Sequence, residues 1–133
     1  MEYTGTKLMK WQKIIVDDSV KLAVKFIKNK YNIDESLFDL VTIHFSNTCR
    51  FAKYKSGYGV IRINLKDKDV LLYDKKSLGS YNTQIRNVGY KISWTCQIIH
   101  ELTHFIQDLE NRCFSEVETT QNELEYLREY DII

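Results

Sequence analysis

Proline is absent from this 133-residue chain, and glycine occurs only five times. Punctuation between elements is therefore sparse, and neither an internal repeat nor a low-complexity linker interrupts the chain. Cysteine is scarce too: Cys49, Cys96 and Cys113 are odd in number and widely spaced. That argues against a disulfide framework and for reduced thiols in a cytoplasmic protein. Neither sign of charge prevails, since 19 basic and 18 acidic residues leave a formal net charge of +1. A general nucleic-acid binder would be clearly basic, so no nucleic-acid partner is expected. Long apolar runs are missing as well. The N-terminal MEYTGTKLMKWQK lacks the continuous stretch of a signal peptide, and no membrane partner is expected.

What is present suffices for one domain spanning residues 1–133, with 44% hydrophobic residues to fill its core. No metal is needed merely to hold such a chain folded. Lysines are frequent up to Lys91 and acidic residues prevail from Glu101 on, an asymmetry that reads as solvated helix faces.

Helical periodicity runs from about Thr6 to Tyr31, with Val20, Ala23, Val24 and Ile27 inward and Lys21, Lys25 and Lys28 outward. Asp17-Asp18-Ser19 could cap a second helix, leaving one kinked helix or two. Leu40 to Phe45 is β-type sequence, and Phe51 to Tyr54 forms a further short strand candidate. After the turn Ser56-Gly57-Tyr58-Gly59, Val60 to Leu65 alternates cleanly, as in a sheet solvated on one side. Asp69 to Tyr73 could add a strand, and Lys75 to Val88 reads as a polar loop. A helix is expected from about Ser93 to Leu109, and a last one from Ser115 to about Tyr130. Ser115 and Glu118 have the form of a capping box at the start of that last helix. The order predicts an α+β domain with helices on one face of a small, mostly antiparallel sheet.

The chemistry lies in His100-Glu101-Leu102-Thr103-His104. Histidines four apart in a helix share a face one turn apart, so both imidazoles can reach one ion. Imidazole nitrogens suit zinc, and a catalytic zinc takes three protein ligands and keeps one position for water. Glu101 lies about 100° around the helix, given ~3.6 residues per turn. It can reach a water activated by the metal without occupying the metal, which is the position of a general base. Only three histidines occur in the chain, and two of them are placed this way.

HELTH resembles the signature of zincin metallopeptidases, and HELTHFIQ is similar to the active-site helix of gluzincins. The resemblance covers Ser93 to about Leu127; elsewhere it rests on the order of elements. It implies a zincin-like fold, zinc as cofactor, His100 and His104 as ligands, Glu101 as catalytic base, and a third ligand from a glutamate on the following helix. Glu110 is too far along the axis from His100, Glu118 serves the cap, and Glu125 sits on the polar side. Glu116 and Glu123 share a face beside Val117, Leu124 and Leu127. Many gluzincins follow the ligand glutamate three positions later with a small residue that lets the helices approach. Thr119 stands in that relation to Glu116, whereas bulky Tyr126 follows Glu123. Glu123 in turn mirrors the histidines better across a helix hairpin and follows Asn122. Glu116 is preferred, and Glu123 is the alternative.

Cys96 lines up with both histidines, but ~12 Å of helix separates it from His104, so it reads as a buried small hydrophobe. Cys113 is read as structural and His44 as a satisfied strand residue. Tyr58, Tyr126 and Tyr130 are candidates for oxyanion stabilisation. The resemblance implies a peptidase acting on a peptide or protein substrate, held in extended form along the strand Val60 to Leu65. The alternatives are a catalytically inactive zinc-binding domain for protein interaction and, more distantly, a helical regulator with a fortuitous HELTH.

Overall fold

A computed structural model of the chain describes residues 1–47, 53–55, 59–73 and 83–129. Strand β1 (Glu2–Gly5) precedes helix α1 (Lys10–Tyr31), and a short 3₁₀ turn (Glu35–Leu40) leads to β2 (Thr42–Ser46). Then follow β3 (Lys53–Lys55), β4 (Val60–Asn64), β5 (Asp69–Tyr73), β6 (Thr83–Asn87), α2 (Tyr90–Leu109) and α3 (Glu116–Glu129). The result is a mixed α/β arrangement with three α-helices and two small sheets among the described residues.

The principal sheet has the order β1-β2-β4-β3. Its β1/β2 and β2/β4 pairs are parallel and only β3/β4 is antiparallel, so the expectation of a mostly antiparallel sheet does not hold there. The reason is connectivity. Parallel neighbours need a long crossover, and the 22-residue α1 supplies one between β1 and β2. Alternation in Val60 to Leu65 reports one-sided burial, not strand direction. The burial itself is as expected, with Ile61, Ile63 and Leu65 in the core and Arg62 exposed. β4 is nevertheless a central strand, flanked by β2 and β3, so it offers no free edge to a peptide. The edge next to α2 is β3.

Two strands carry too little pattern to be read from sequence. In β1 only Tyr3 packs inward, edge-on to Phe45 at 5.3 Å. β6 falls within the segment read as a polar loop, and its one large apolar residue, Ile85, is exposed. It pairs antiparallel with β5 as a separate two-stranded sheet. α1 is a single helix: Asp17, Asp18 and Ser19 lie inside it, and buried Ser19 donates to the Lys91 carbonyl of α2 instead of capping.

Helix α2 is the axis of the fold. Apolar Ile98, Ile99, Leu102 and Ile106 are wholly buried, and so are polar Thr95, Thr103 and Gln107. A helix buried all round has partners on every side. Here α1, α3 and the sheet are those partners. No helix of the described residues is long and apolar enough to cross a membrane.

Candidate metal centre

The centre is assembled at the crossing of α2 and α3. Ser115 caps α3, its Oγ accepting the Glu118 amide at 3.2 Å. The reciprocal half of the expected capping box is missing. The Ser115 amide donates to Gln107 Oε1 instead, at 3.1 Å, and the Glu118 carboxylate turns to Arg112, Gln107 and Tyr31. This tether sets the first turn of α3, and with it Glu116, against the histidine face of α2. Thr119 is wholly buried, and Asn122 one turn on donates to Thr103 Oγ1 of α2 at 3.0 Å. Small and polar residues at the crossing let the two helices approach closely.

Glu116 reaches both histidines. Its Oε1 lies 2.8 Å from His104 Nε2 and its Oε2 lies 3.1 Å from His100 Nε2. Ligand atoms of His100, His104 and Glu116 all fall within 4.8 Å of one another. Glu123 touches His100 from the other side, its Oε2 sitting 2.9 Å from Nδ1. The geometry thus brings together both glutamates that the sequence left open and gives them different places.

Which ring nitrogens carry protons follows from their partners. Gln107 is oriented by the Ser115 backbone: Oε1 accepts from the Ser115 amide, while Nε2 donates to the Ser115 carbonyl and to Glu118. The oxygen that faces His104 Nδ1 at 2.9 Å can only accept, so Nδ1 donates. Glu123 likewise accepts from His100 Nδ1. Both Nε2 atoms then turn toward the Glu116 carboxylate, and contacts of that length between lone-pair donors call for a proton or a cation among them. Two imidazole nitrogens and a carboxylate form the donor set of a catalytic zinc, and acceptors on the far nitrogens fix ligand tautomers in such sites. The three residues could hold a metal ion, and their donor types are compatible with zinc.

Charge is concentrated here. Burial works to lower the pKa of His100, but the hydrogen bond and charge of Glu123 override it, with help from Glu101 and Glu116, and raise it to about 9. Glu101 is 2% exposed, and its Oε2 has no hydrogen-bond partner among the described residues. Burial pushes its carboxyl up to about 7; the charge of His100 opposes that rise, and those of Glu116 and Glu123 reinforce it. A carboxyl poised near neutrality suits a general base.

Three residues beside the centre were not found by sequence reasoning. Gln107 orients His104. Tyr54 of β3 stacks on the His104 ring at 6.5 Å and 27°, and Phe114 packs at 4.8 Å. The Tyr54 hydroxyl donates to Asp108 Oδ2 at 2.6 Å, and burial followed by that bond raises its pKa, so it stays protonated. Gln107 alone left a signal, standing three residues after His104 on the same helix face.

Other candidates are accounted for elsewhere. Glu110 pairs with Arg112, and Glu125 pairs with Lys30. Tyr126 is buried against Phe26 on the α1 side. Tyr58, Tyr130 and Cys49 lie outside the described residues. Cys96 is buried, and burial raises its thiol pKa; Cys113 is exposed. His44 Nδ1 lies 3.2 Å from Thr4 Oγ1 in the neighbouring strand. Comparison with protein-family models, curated proteins and solved structures gave no match for the chain.

Proposed function

We propose that the chain is a zinc-dependent metallohydrolase that cleaves peptide bonds in a peptide or protein substrate. One observation carries this reading: His100 Nε2, His104 Nε2 and the Glu116 carboxylate converge beside a buried Glu101 whose second oxygen lacks a partner among the described residues. The reading assigns His100, His104 and Glu116 to the metal and Glu101 to proton transfer. A bound zinc supplies Lewis acidity, which polarises a carbonyl and lowers the pKa of water. Glu101 accepts the proton of the attacking water and returns it to the departing amine. Glu123 and Gln107 keep both imidazoles in the tautomer that presents Nε2. Tyr54 and Phe114 hold the His104 ring plane. The fold assignment belongs to the same proposal: a zincin-like domain, with β3 in place of β4 as the strand edge open to a substrate. The free thiols of Cys96 and Cys113 support a reducing, cytoplasmic site of action.

The test combines metal content with one substitution. Purified protein should carry about one zinc per chain and hydrolyse members of a peptide library. Glu101→Gln should keep the zinc and lose at least ~100-fold in rate, the lower range for general acid–base catalysis. Zinc at that stoichiometry without any hydrolysis would instead support an inactive zinc-binding interaction domain. Absence of zinc sinks both.

A further inference from the structure

The outer face of α1 takes no part in the metal centre. Lys10, Ile14, Lys21, Lys25 and Lys28 recur along it at helical spacing, and all are exposed. Asp18 is the exposed acidic residue among them, while half-buried Asp17 accepts the Tyr3 hydroxyl at 3.4 Å. Lys28 pairs with Glu35 at 3.4 Å, whereas Lys10, Lys21 and Lys25 have no anionic partner among the described residues. Lys21, Lys25 and Lys28 also line one cleft of about 470 Å³, in which Glu35 is the acidic residue and Val20 and Val24 are apolar.

A lysine stripe alone is commonly a solvated helix face. The independent observation lies at the start of the same helix, where Met9, Trp11 and Ile14 are 62%, 45% and 59% exposed. The Trp11 ring lies 5.6 Å from that of Tyr90, and Lys68 reaches over Tyr90 from another part of the chain, 5.4 Å from its centroid. Large apolar side chains and uncompensated lysines thus share one helix surface. A specific protein interface gathers its apolar residues at the centre and rings them with a polar rim. Here the two kinds lie in succession along a helix axis, as in a helix resting in a membrane interface. Indole rings favour that boundary, and lysine stems lie along apolar surface while their ammonium groups stay in water. The expectation of no membrane partner came from the lack of a long apolar run, which excludes a spanning segment; contact at the surface requires none.

We propose that the outer face of α1 docks on an anionic lipid surface. Met9, Trp11 and Ile14 enter the headgroup layer, and Lys10, Lys21 and Lys25 meet the anionic headgroups, one of which the lysine-lined cleft receives. The proposal is independent of the metal centre, so neither zinc content nor hydrolysis bears on it.

Cosedimentation of the full chain tests it, with vesicles of phosphatidylcholine alone and of phosphatidylcholine mixed with phosphatidylserine. Binding should require phosphatidylserine and weaken as ionic strength rises. Trp94 is wholly buried, so a shift of tryptophan emission to shorter wavelength on binding belongs to Trp11 and should be lost in Trp11→Phe. Each lysine near such a surface is worth about fivefold in affinity, so Lys21→Gln with Lys25→Gln should weaken binding roughly 25-fold. Met9→Ser with Ile14→Ser should weaken it while leaving its salt dependence in place. All four positions are exposed, and an unchanged thermal midpoint shows that each variant is folded. Absence of binding to phosphatidylserine vesicles, equal binding to phosphatidylcholine alone, or binding that survives the lysine substitutions overturns the proposal. Capture by polyglutamate without vesicle binding would assign the face to an acidic protein and overturn it as well.

Discussion

Glu116 and Glu123 both touch His100, but on opposite nitrogens, and that divides their roles. Glu116 joins the two Nε2 atoms, while Glu123 accepts from Nδ1 behind the ring. On the proposed assignment, removing Glu116 would delete a donor from the metal, whereas neutralising Glu123 would only loosen the orientation and basicity of one donor. Glu123→Gln should therefore weaken zinc binding by about 10–100-fold, the usual cost of losing an outer partner. Glu116→Gln should cost more than that. Competition with a chromophoric chelator measures both, and a reversed order would exchange the two assignments. That these side chains converge was partly legible in the residues. The spacing of His100, Glu101 and His104 gave the face, and the small Thr119 pointed to Glu116. The partners of the Nδ1 atoms were not legible, because Gln107 and Glu123 acquire them only through the crossing of two helices.

That crossing is an element-scale device. Thr119 and Asn122 are both buried one turn apart on α3, and Asn122 ties Thr103 of α2 to Tyr31 of α1. Thr119→Leu should overpack the contact, costing about 1–3 kcal/mol, and should also reduce zinc affinity by moving α3 and its Glu116 outward. Calorimetric unfolding and a zinc titration check the two halves of that expectation. Unchanged affinity would mean that Glu116 does not depend on the helix approach. Glu118 holds the same junction with Arg112, Gln107 and Tyr31. The Arg112 hydrogen bonds outweigh the opposing burial and keep its carboxyl at about 2, against 4.5 for the free group. Because the folded-state pKa is the lower one, its contribution is complete above about pH 4.5 and is lost as pH falls toward 2. Allowing for solvent screening, that is roughly 1–2 kcal/mol. In chelator-treated protein, so that metal release adds nothing, Glu118→Gln should flatten the stability profile across this window. The helices and β4 announced themselves through periodicity, which reports burial. β1 and β6 did not, since Glu2–Gly5 bury little beyond Tyr3 and the one large apolar residue of β6, Ile85, is exposed. Strand direction was set by the crossover through α1, a relation between distant segments that no local pattern encodes.

For the whole molecule, the question is what the proposed metal would add to stability. The core does not need it: Phe45, Ile43, Ile61 and Ile63 from the sheet meet Ile98, Leu102 and Ile106 from α2 and Ile27 from α1, all buried. The proposed metal centre lies at the α2–α3 crossing, and α3 is also held by buried Leu127 and Asn122. A chain of 133 residues with such a core is above the size at which a metal substitutes for a hydrophobic interior. Chelation should therefore leave the far-ultraviolet circular dichroism essentially native, unlike the collapse of a zinc finger. It should still lower the midpoint of thermal unfolding. A ligand at 100 times its Kd stabilises the native state by about 2.7 kcal/mol, which for a domain near this size corresponds to a shift on the order of 10 °C. The shift should grow with free zinc and vanish in a His100→Ala, His104→Ala double variant. Loss of helical signal on chelation would show instead that α3 docks only through the metal, and the polar tether of Ser115, Gln107, Asn122 and Thr103 would then be too weak to form the site in advance.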